Sequence, residues 1–174
     1  MKLEESERLE KNRIKQISES LRNKSEELNS ERDKLRKNAE NIGCALSDIA
    51  KKTGIIYDTH KPFIIDDNET DSGKDRVTYT FSIERNENDY ISFWIIKRLS
   101  SCGKTKGEMW ETYDTTYYNF SNVGIDIIQS AMYSIGSFLE KYLSLVEIYT
   151  SNTKNAVDKG EEIKNGIVNP KYLE

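Results

Sequence analysis

The sequence predicts an α+β fold in which an antiparallel β-meander of three to four strands is flanked by two long helices. Apolar residues recur every seven positions over residues 1–53 and again over residues 121–168, which is typical of packed helices. The segment between them, residues 54–120, is predicted to be rich in strands, and the strict alternation of apolar and polar residues at 76–84 is typical of a half-buried strand. We therefore expect a single domain over residues 1–174.

The first helix is predicted over residues 1–53. Lys51 and Lys52 suit the negative carboxyl end of a helix, and Gly54 can adopt the left-handed conformation of a helix cap. The heptad row of this helix is apolar throughout: Ile14, Leu21, Leu28, Leu35, Ile42 and Ile49. Three of the companion positions are polar and make the seam thin in its middle: Lys24, Glu31 and Asn38.

Three strands follow from alternation, at residues 76–84, 90–99 and 107–120, with a turn at residues 86–89. In the first of them one face is apolar: Val77, Tyr79, Phe81 and Ile83. A fourth strand is predicted at residues 54–57 or at residues 63–65, on either side of Pro62. Residues 66–75 are strongly acidic, and we expect them to form a surface loop.

The second helix is predicted to begin near Ser121 or Asn122 and to end at Gly166 and Pro170. Its heptad row is Ile128, Ile135, Tyr142, Tyr149, Ala156 and Ile163. Both helices are most apolar next to the sheet. We therefore expect both to pack on one sheet face, with their far ends running on as an antiparallel coiled coil, within one subunit or between swapped subunits.

This order of elements resembles that of a prefoldin subunit, in which two long helices flank β-hairpins. The resemblance covers most of the chain and implies a holdase chaperone as one possible function.

Composition limits the classes of partner. A net charge of −4 argues against a general nucleic-acid binder, and the basic side chains at residues 32–37 are interleaved with acidic ones, as on a solvated helix flank. Residues 127–139 are uncharged but too few to span a membrane, and the charged amino terminus shows no signal peptide. Cys44 and Cys102 make no disulfide framework. We expect a cytoplasmic protein without a membrane partner.

A Gly-Lys-Thr triplet at residues 103–105 suggests a phosphate-binding loop. That motif needs a glycine five residues earlier, where Arg98 stands, and it must lead into a helix, whereas these residues lead into a predicted strand. Glycines at residues 103 and 107 between two alternating runs indicate a turn instead.

The remaining candidates for chemistry also fail positional requirements. A calcium loop starting at Asp67 would have Ser72 and Thr78 where an EF-hand needs Gly and Glu. His60 is the sole histidine, and no further nitrogen or sulfur ligand lies near it in sequence. We therefore expect no metal, no cofactor and no enzymatic activity.

We expect the functional surface to be the sheet face turned away from the helices. Tryptophans and tyrosines lie among hydroxyl residues there, and exposed aromatic side chains mark interfaces, although Thr, Tyr and Trp are also good strand formers. The predicted partner-binding residues are Tyr90, Trp94, Arg98, Trp110 and Tyr118. The function we expect is a non-enzymatic protein–protein interaction module, a homo-oligomeric adaptor or inhibitor of a larger complex. Small-ligand or nucleotide binding on the aromatic face and a prefoldin-like holdase are the alternatives.

Overall fold

A computed structural model describes residues 2–59, 61–70, 73–105 and 108–168, with side chains described at 10–59, 61–69, 73–103 and 111–164. Helix α1 spans Lys2–Thr53 and helix α2 spans Ile125–Val168. Between them lie β1 at Tyr57–Asp58, β2 at Ile64–Thr70, β3 at Gly73–Arg85, β4 at Ile91–Thr105, β5 at Glu108–Tyr118 and a short 3-10 helix at Phe120–Asn122. The α+β class is confirmed. Ser121 and Asn122, predicted as the first residues of the second helix, belong to the 3-10 helix instead.

The strands form one antiparallel sheet in the order β1–β3–β4–β5, with β2 also pairing with β3. The predicted count of three to four strands is wrong, because the sheet has five. β1 and β2 both pair with the same edge of β3, one after the other along it. Pro62, which has no N–H to donate, lies between them, while the N–H groups of Thr59 and Phe63 still donate to β3. Of the two positions considered for a fourth strand, residues 54–57 end at the first residue of β1, and residues 63–65 overlap the start of β2.

Two segments predicted as connections are strands. The acidic residues 66–70 lie in β2 and residues 73–75 begin β3, and the Asp67 carboxylate accepts a hydrogen bond from Arg76 Nε at 2.6 Å. Residues 102–105 extend β4, while residues 106 and 107 lie outside the described part. Gly73 is required where β3 meets β4, because a Cβ there would overlap the carbonyl oxygen of Cys102.

The hydrophobic core lies between the helices and one face of the sheet, the helix face. Phe81 and Ile83 of β3 pair with Ile95 and Phe93 of β4, and all four side chains are buried in this core, as alternation predicted for β3. Phe138 of α2 lies across them, with its ring centroid 5.3 Å from that of Phe81 and 5.6 Å from that of Phe93. Large buried aromatic rings dominate the energetics of a core this small.

α1 packs beside the sheet at the point where β5 has ended. β5 pairs with β4 only from Ile95 onward, so the preceding edge of β4 is open to α1, and the N–H of Phe93 donates to Ser47 Oγ at 3.0 Å. The buried side chains of α1 lie in this segment: Ala39, Leu46 and Ala50. The helix therefore protects a sheet edge as well as filling the core.

The two helices run in the same direction where they pass each other. Arg36 Nη1 donates to the carbonyl oxygens of Ser121 at 2.8 Å and Val123 at 3.3 Å, just before α2 begins. Later in both helices, the hydroxyl groups of Thr53 and Tyr142 lie 3.0 Å apart. The prediction of an antiparallel coiled coil within one chain is wrong. α1 ends beside β1, and the chain returns to residue 36 of α1 before α2 starts. From there α2 runs toward the carboxyl end of α1, so the two helices are parallel.

As a result each helix continues beyond its partner, at opposite ends of the sheet. We call residues 10–34 the α1 arm and residues 147–164 the α2 arm. In the α1 arm the heptad residues Ile14, Leu21 and Leu28 are 58%, 66% and 51% exposed. Neither of these long helices contains, within its described residues, an apolar stretch that could cross a lipid bilayer.

Candidate functional site

The face of the sheet turned away from the helices, the second face, carries a compact set of polar and aromatic side chains. Residues paired across neighbouring strands share a face, so the pairs Ser82–Trp94 and Ile96–Tyr117 bring β3, β4 and β5 together there. The set consists of Asp58, Thr78, Thr80, Ser82, Glu84, Trp94, Ile96, Arg98 and Tyr117.

The structure divides the residues predicted to bind a partner. Trp94 and Arg98 lie on the second face, and Tyr90 is exposed immediately before β4. Tyr118 pairs with Ile95 and packs against the core, so its assignment to the second face is wrong.

Trp110 is also separated from Trp94. The backbone of Trp110 pairs with Gly103, a strand position of opposite parity to that of Trp94, so the two tryptophan positions lie on opposite faces of the sheet. The side chain of Trp110 lies outside the described part. A shift of one residue in register exchanges the faces, and sequence alone did not determine the register.

Two hydroxyl residues of the second face are buried. Thr80 is 2% exposed and Ser82 is inaccessible, although neither described helix covers this face. Their own neighbours cover them: Arg98 Nη1 donates to Thr80 Oγ1 at 2.7 Å, and Ser82 Oγ donates to Glu84 Oε1 at 2.8 Å. The second face is therefore a thin layer of satisfied polar groups beneath longer side chains.

Arg98 joins three strands. Its second nitrogen, Nη2, donates to Asp58 Oδ2 at 3.0 Å, which links β4 to β1 across β3, and both side chains of this ion pair are partly buried. The guanidinium is engaged by a carboxylate and a hydroxyl, and these contacts tie the edge strand β1 to the rest of the sheet.

A second cluster lies closer to the turn between β3 and β4. The rings of Trp94 and Tyr117 meet edge to face, with centroids 6.2 Å apart and planes at 83°. Burial raises the pKa of the Tyr117 phenol, and the charge of the Glu84 carboxylate and a hydrogen bond to it raise it further. Tyr117 and Glu84 were not among the predicted site residues. The register of β5 decides which face Tyr117 lies on, and the sequence did not give that register.

These side chains line an open cavity of about 470 Å³. Trp94, Tyr117 and Glu84 contribute from three adjacent strands, and Arg85 at the end of β3 forms the remaining wall with the turn at residues 86–88. The turn is held by the Asn86 side-chain oxygen, which accepts from the N–H groups of Asn88 and Tyr90. Three strands and a hydrogen-bonded turn thus frame the site.

A separate apolar groove lies at the base of the α2 arm, where α1 ends. It has a volume of about 490 Å³ and is lined mainly by Thr53, Ile55, Val146, Tyr149, Thr153 and Val157. The exposed apolar residues of the α2 arm continue from it: Ile148, Tyr149, Val157 and Ile163. Among the described residues, the arms therefore present two exposed apolar surfaces, one at each end of the sheet.

The motifs rejected from the sequence occupy ordinary structural positions. Lys104 lies within β4 with its backbone opposite Met109, and Asp67 is paired with Arg76 and Lys74. Cys44 and Cys102 are exposed free thiols. His60 lies outside the described residues.

Comparison of the chain with protein-family models, with curated proteins and with solved structures finds no match in any of the three. Functional reasoning therefore starts from the two arms and the second face.

Proposed function

We propose that the chain is a non-enzymatic protein–protein interaction module that forms a homodimer through its two helical arms, as an adaptor or an inhibitor of a larger complex. The observation that supports this proposal is the exposure of Ile14, Leu21 and Leu28, whose heptad row continues into Leu35 and Ile42, which are partly buried against the core. A row of large apolar side chains on a helix is stabilised by a partner that removes it from water.

A second copy of the chain is the partner that fits both arms at once. Beside the sheet, α1 packs against α2. The α1 arm extends beyond the start of α2, and the α2 arm extends beyond the end of α1. A two-fold axis perpendicular to the helices reverses one copy relative to the other. It therefore places the α1 arm of each copy antiparallel to the α2 arm of the other, and it closes the assembly, as dimer symmetry usually does.

Charges on the α1 arm argue against the simpler pairing of two α1 arms in parallel. Lys24 and Glu31 occupy d positions of the heptad, so a parallel pair would place each of them opposite its own copy. Like charges facing each other in a helical seam are destabilising, whereas pairing with the α2 arm separates them.

The polar groups of the second face favour an interaction protein over an enzyme. Arg98 is engaged by Asp58 and Thr80, and Glu84 by Ser82, so these groups act as structural links and not as a nucleophile with its base. The exposed free thiols of Cys44 and Cys102 favour a reducing compartment, and we place the protein in the cytoplasm.

Sedimentation equilibrium tests the proposal with matched variants. Leu28→Asp and Tyr149→Asp put a charge into the two apolar rows, whereas Ser30→Asp and Ser151→Asp add the same charge about 200° around the same helices. We expect the first pair to weaken dimerisation at least tenfold, which is about 1.4 kcal/mol, and the second pair to leave it unchanged. A wild-type chain that is monomeric at every accessible concentration, or a dimer insensitive to all four changes, overturns the proposal.

A further inference from the structure

We propose that the cavity between Trp94, Tyr117 and Glu84 is a binding site for an arginine side chain presented by a partner protein. The site lies on the second face, away from both arms, so it does not depend on the proposed dimer. Its frame consists of three adjacent strands and the turn at residues 86–88.

The charge of the cavity selects a cation. Glu84 and Glu87 contribute carboxylates, while the two arginines nearby are already paired, Arg85 with Asp89 at 2.7 Å and Arg98 with Asp58 at 3.0 Å. The lining therefore carries an excess of negative charge, which repels phosphate and carboxylate groups. This disfavours the nucleotide that the aromatic residues alone suggested.

The aromatic walls select a flat cation. Trp94 and Tyr117 stand nearly perpendicular, at 83°, and so form a corner in which a guanidinium can stack on one ring while its edge approaches the other. Trp is the best of the aromatic side chains for such a contact, and arginine forms it more often than lysine.

Glu84 supplies the directional contact. A carboxylate has about four acceptor positions, and the described partners of Glu84 are the Ser82 hydroxyl, at 2.8 Å, and the Tyr117 phenol. The remaining acceptor positions suit the paired N–H groups of a guanidinium, which bind a carboxylate in a fork. The volume of about 470 Å³ is within the usual range of ligand sites, so a side chain enters with part of the backbone that carries it.

The test uses Trp94 as its own reporter. In a Trp110→Phe variant Trp94 is the only tryptophan, and its fluorescence is followed during titration with an arginine-containing tripeptide, its lysine counterpart and its citrulline counterpart. Citrulline has the shape of arginine without the charge. In parallel, the indole N–H resonance of Trp94 is followed in the unsubstituted chain, so the result does not depend on the folding of the variant.

We expect saturable binding of the arginine peptide, at least tenfold weaker binding of the citrulline peptide, and weaker binding of the lysine peptide. Glu84→Gln should reduce the arginine affinity at least tenfold, whereas Glu69→Gln, on an exposed position of β2, should not change it. Equal responses to arginine and citrulline, preference for lysine, or no saturable response overturns the proposal. None of these outcomes bears on dimerisation by the arms, which sedimentation measures separately.

Discussion

The two halves of α1 carry the same heptad row and meet different environments. Ile42, on this row beside the sheet, is partly buried against the core, whereas Leu28, in the arm, is 51% exposed. Both halves are continuous helix, and both present large aliphatic side chains on the row. The difference arises from what lies opposite each half. The 3-10 helix and α2 face the half beside the sheet, and nothing among the described residues faces the α1 arm.

α2 shows the same contrast in the reverse order. Its first half holds Phe138 against the sheet, and its arm leaves Val157 and Ile163 exposed. A heptad row therefore shows that a helix has an apolar face, but it does not show whether the partner belongs to the same chain. Here the direction of the helices places a partner beside only half of each.

The largest contrast is expected on α2. Phe138→Ala removes a ring that contacts both β3 and β4, so it should lower the free energy of unfolding by about 3–5 kcal/mol. Val157→Ala, in the arm, should change the unfolding of the monomer by less than about 0.5 kcal/mol. Urea unfolding at low protein concentration measures both values, and comparable losses would show that the arm is part of the folded core.

On α1, the matched pair is Leu46→Ala and Leu28→Ala. Leu46→Ala should cost about 2–5 kcal/mol at any protein concentration, because its contacts lie within one chain. The cost of Leu28→Ala should rise with protein concentration, because the contacts it loses lie between copies. Unfolding curves at several concentrations separate these behaviours. A Leu28→Ala effect that is large and independent of concentration would place that residue in an intramolecular contact.

A smaller contrast is expected between Arg36 and Arg22. Arg36 donates to two backbone carbonyl groups ahead of α2, so Arg36→Ala should cost about 1–3 kcal/mol and increase hydrogen exchange in the first turn of α2. Arg22 pairs only with Glu26, with both side chains mostly exposed, so Arg22→Ala should cost less than about 0.5 kcal/mol. Equal exchange in the two variants would contradict the parallel docking of the helices.

The elements themselves were largely predictable from the sequence. The heptad rows predicted both helices, with α1 ending at Thr53 before Gly54, whose φ of 69° is the left-handed cap that glycine favours. Alternation predicted which side chains of β3 face the core. Residues 66–70 of β2 were predicted as part of a loop because their strand conformation comes from pairing with β3 and from the ion pairs of Asp67, which composition does not reveal.

The candidate site was predictable only in part. Trp94 and Arg98 follow from alternation along one strand, so they were placed on the correct face. Tyr117 and Tyr118 are adjacent, and only the pairing of Tyr118 with Ile95 decides which of them reaches the second face. The burial of Thr80 and Ser82 depends on where the Arg98 and Glu84 side chains lie, which is a property of packing and not of sequence pattern.

The most direct test of the central claim, that the arms pair between copies, is a distance between labels on different chains. In a background with Cys44→Ser and Cys102→Ser, one sample carries a spin label at Asn29→Cys on the α1 arm and another carries it at Ser151→Cys on the α2 arm, both away from the apolar rows. When the samples are mixed, pulsed electron spin resonance detects only pairs between copies. The account predicts a defined distance shorter than the α1 arm itself, about 37 Å for its 25 residues, which Leu28→Asp abolishes and Ser30→Asp preserves. The absence of any defined distance in the mixed sample would contradict it.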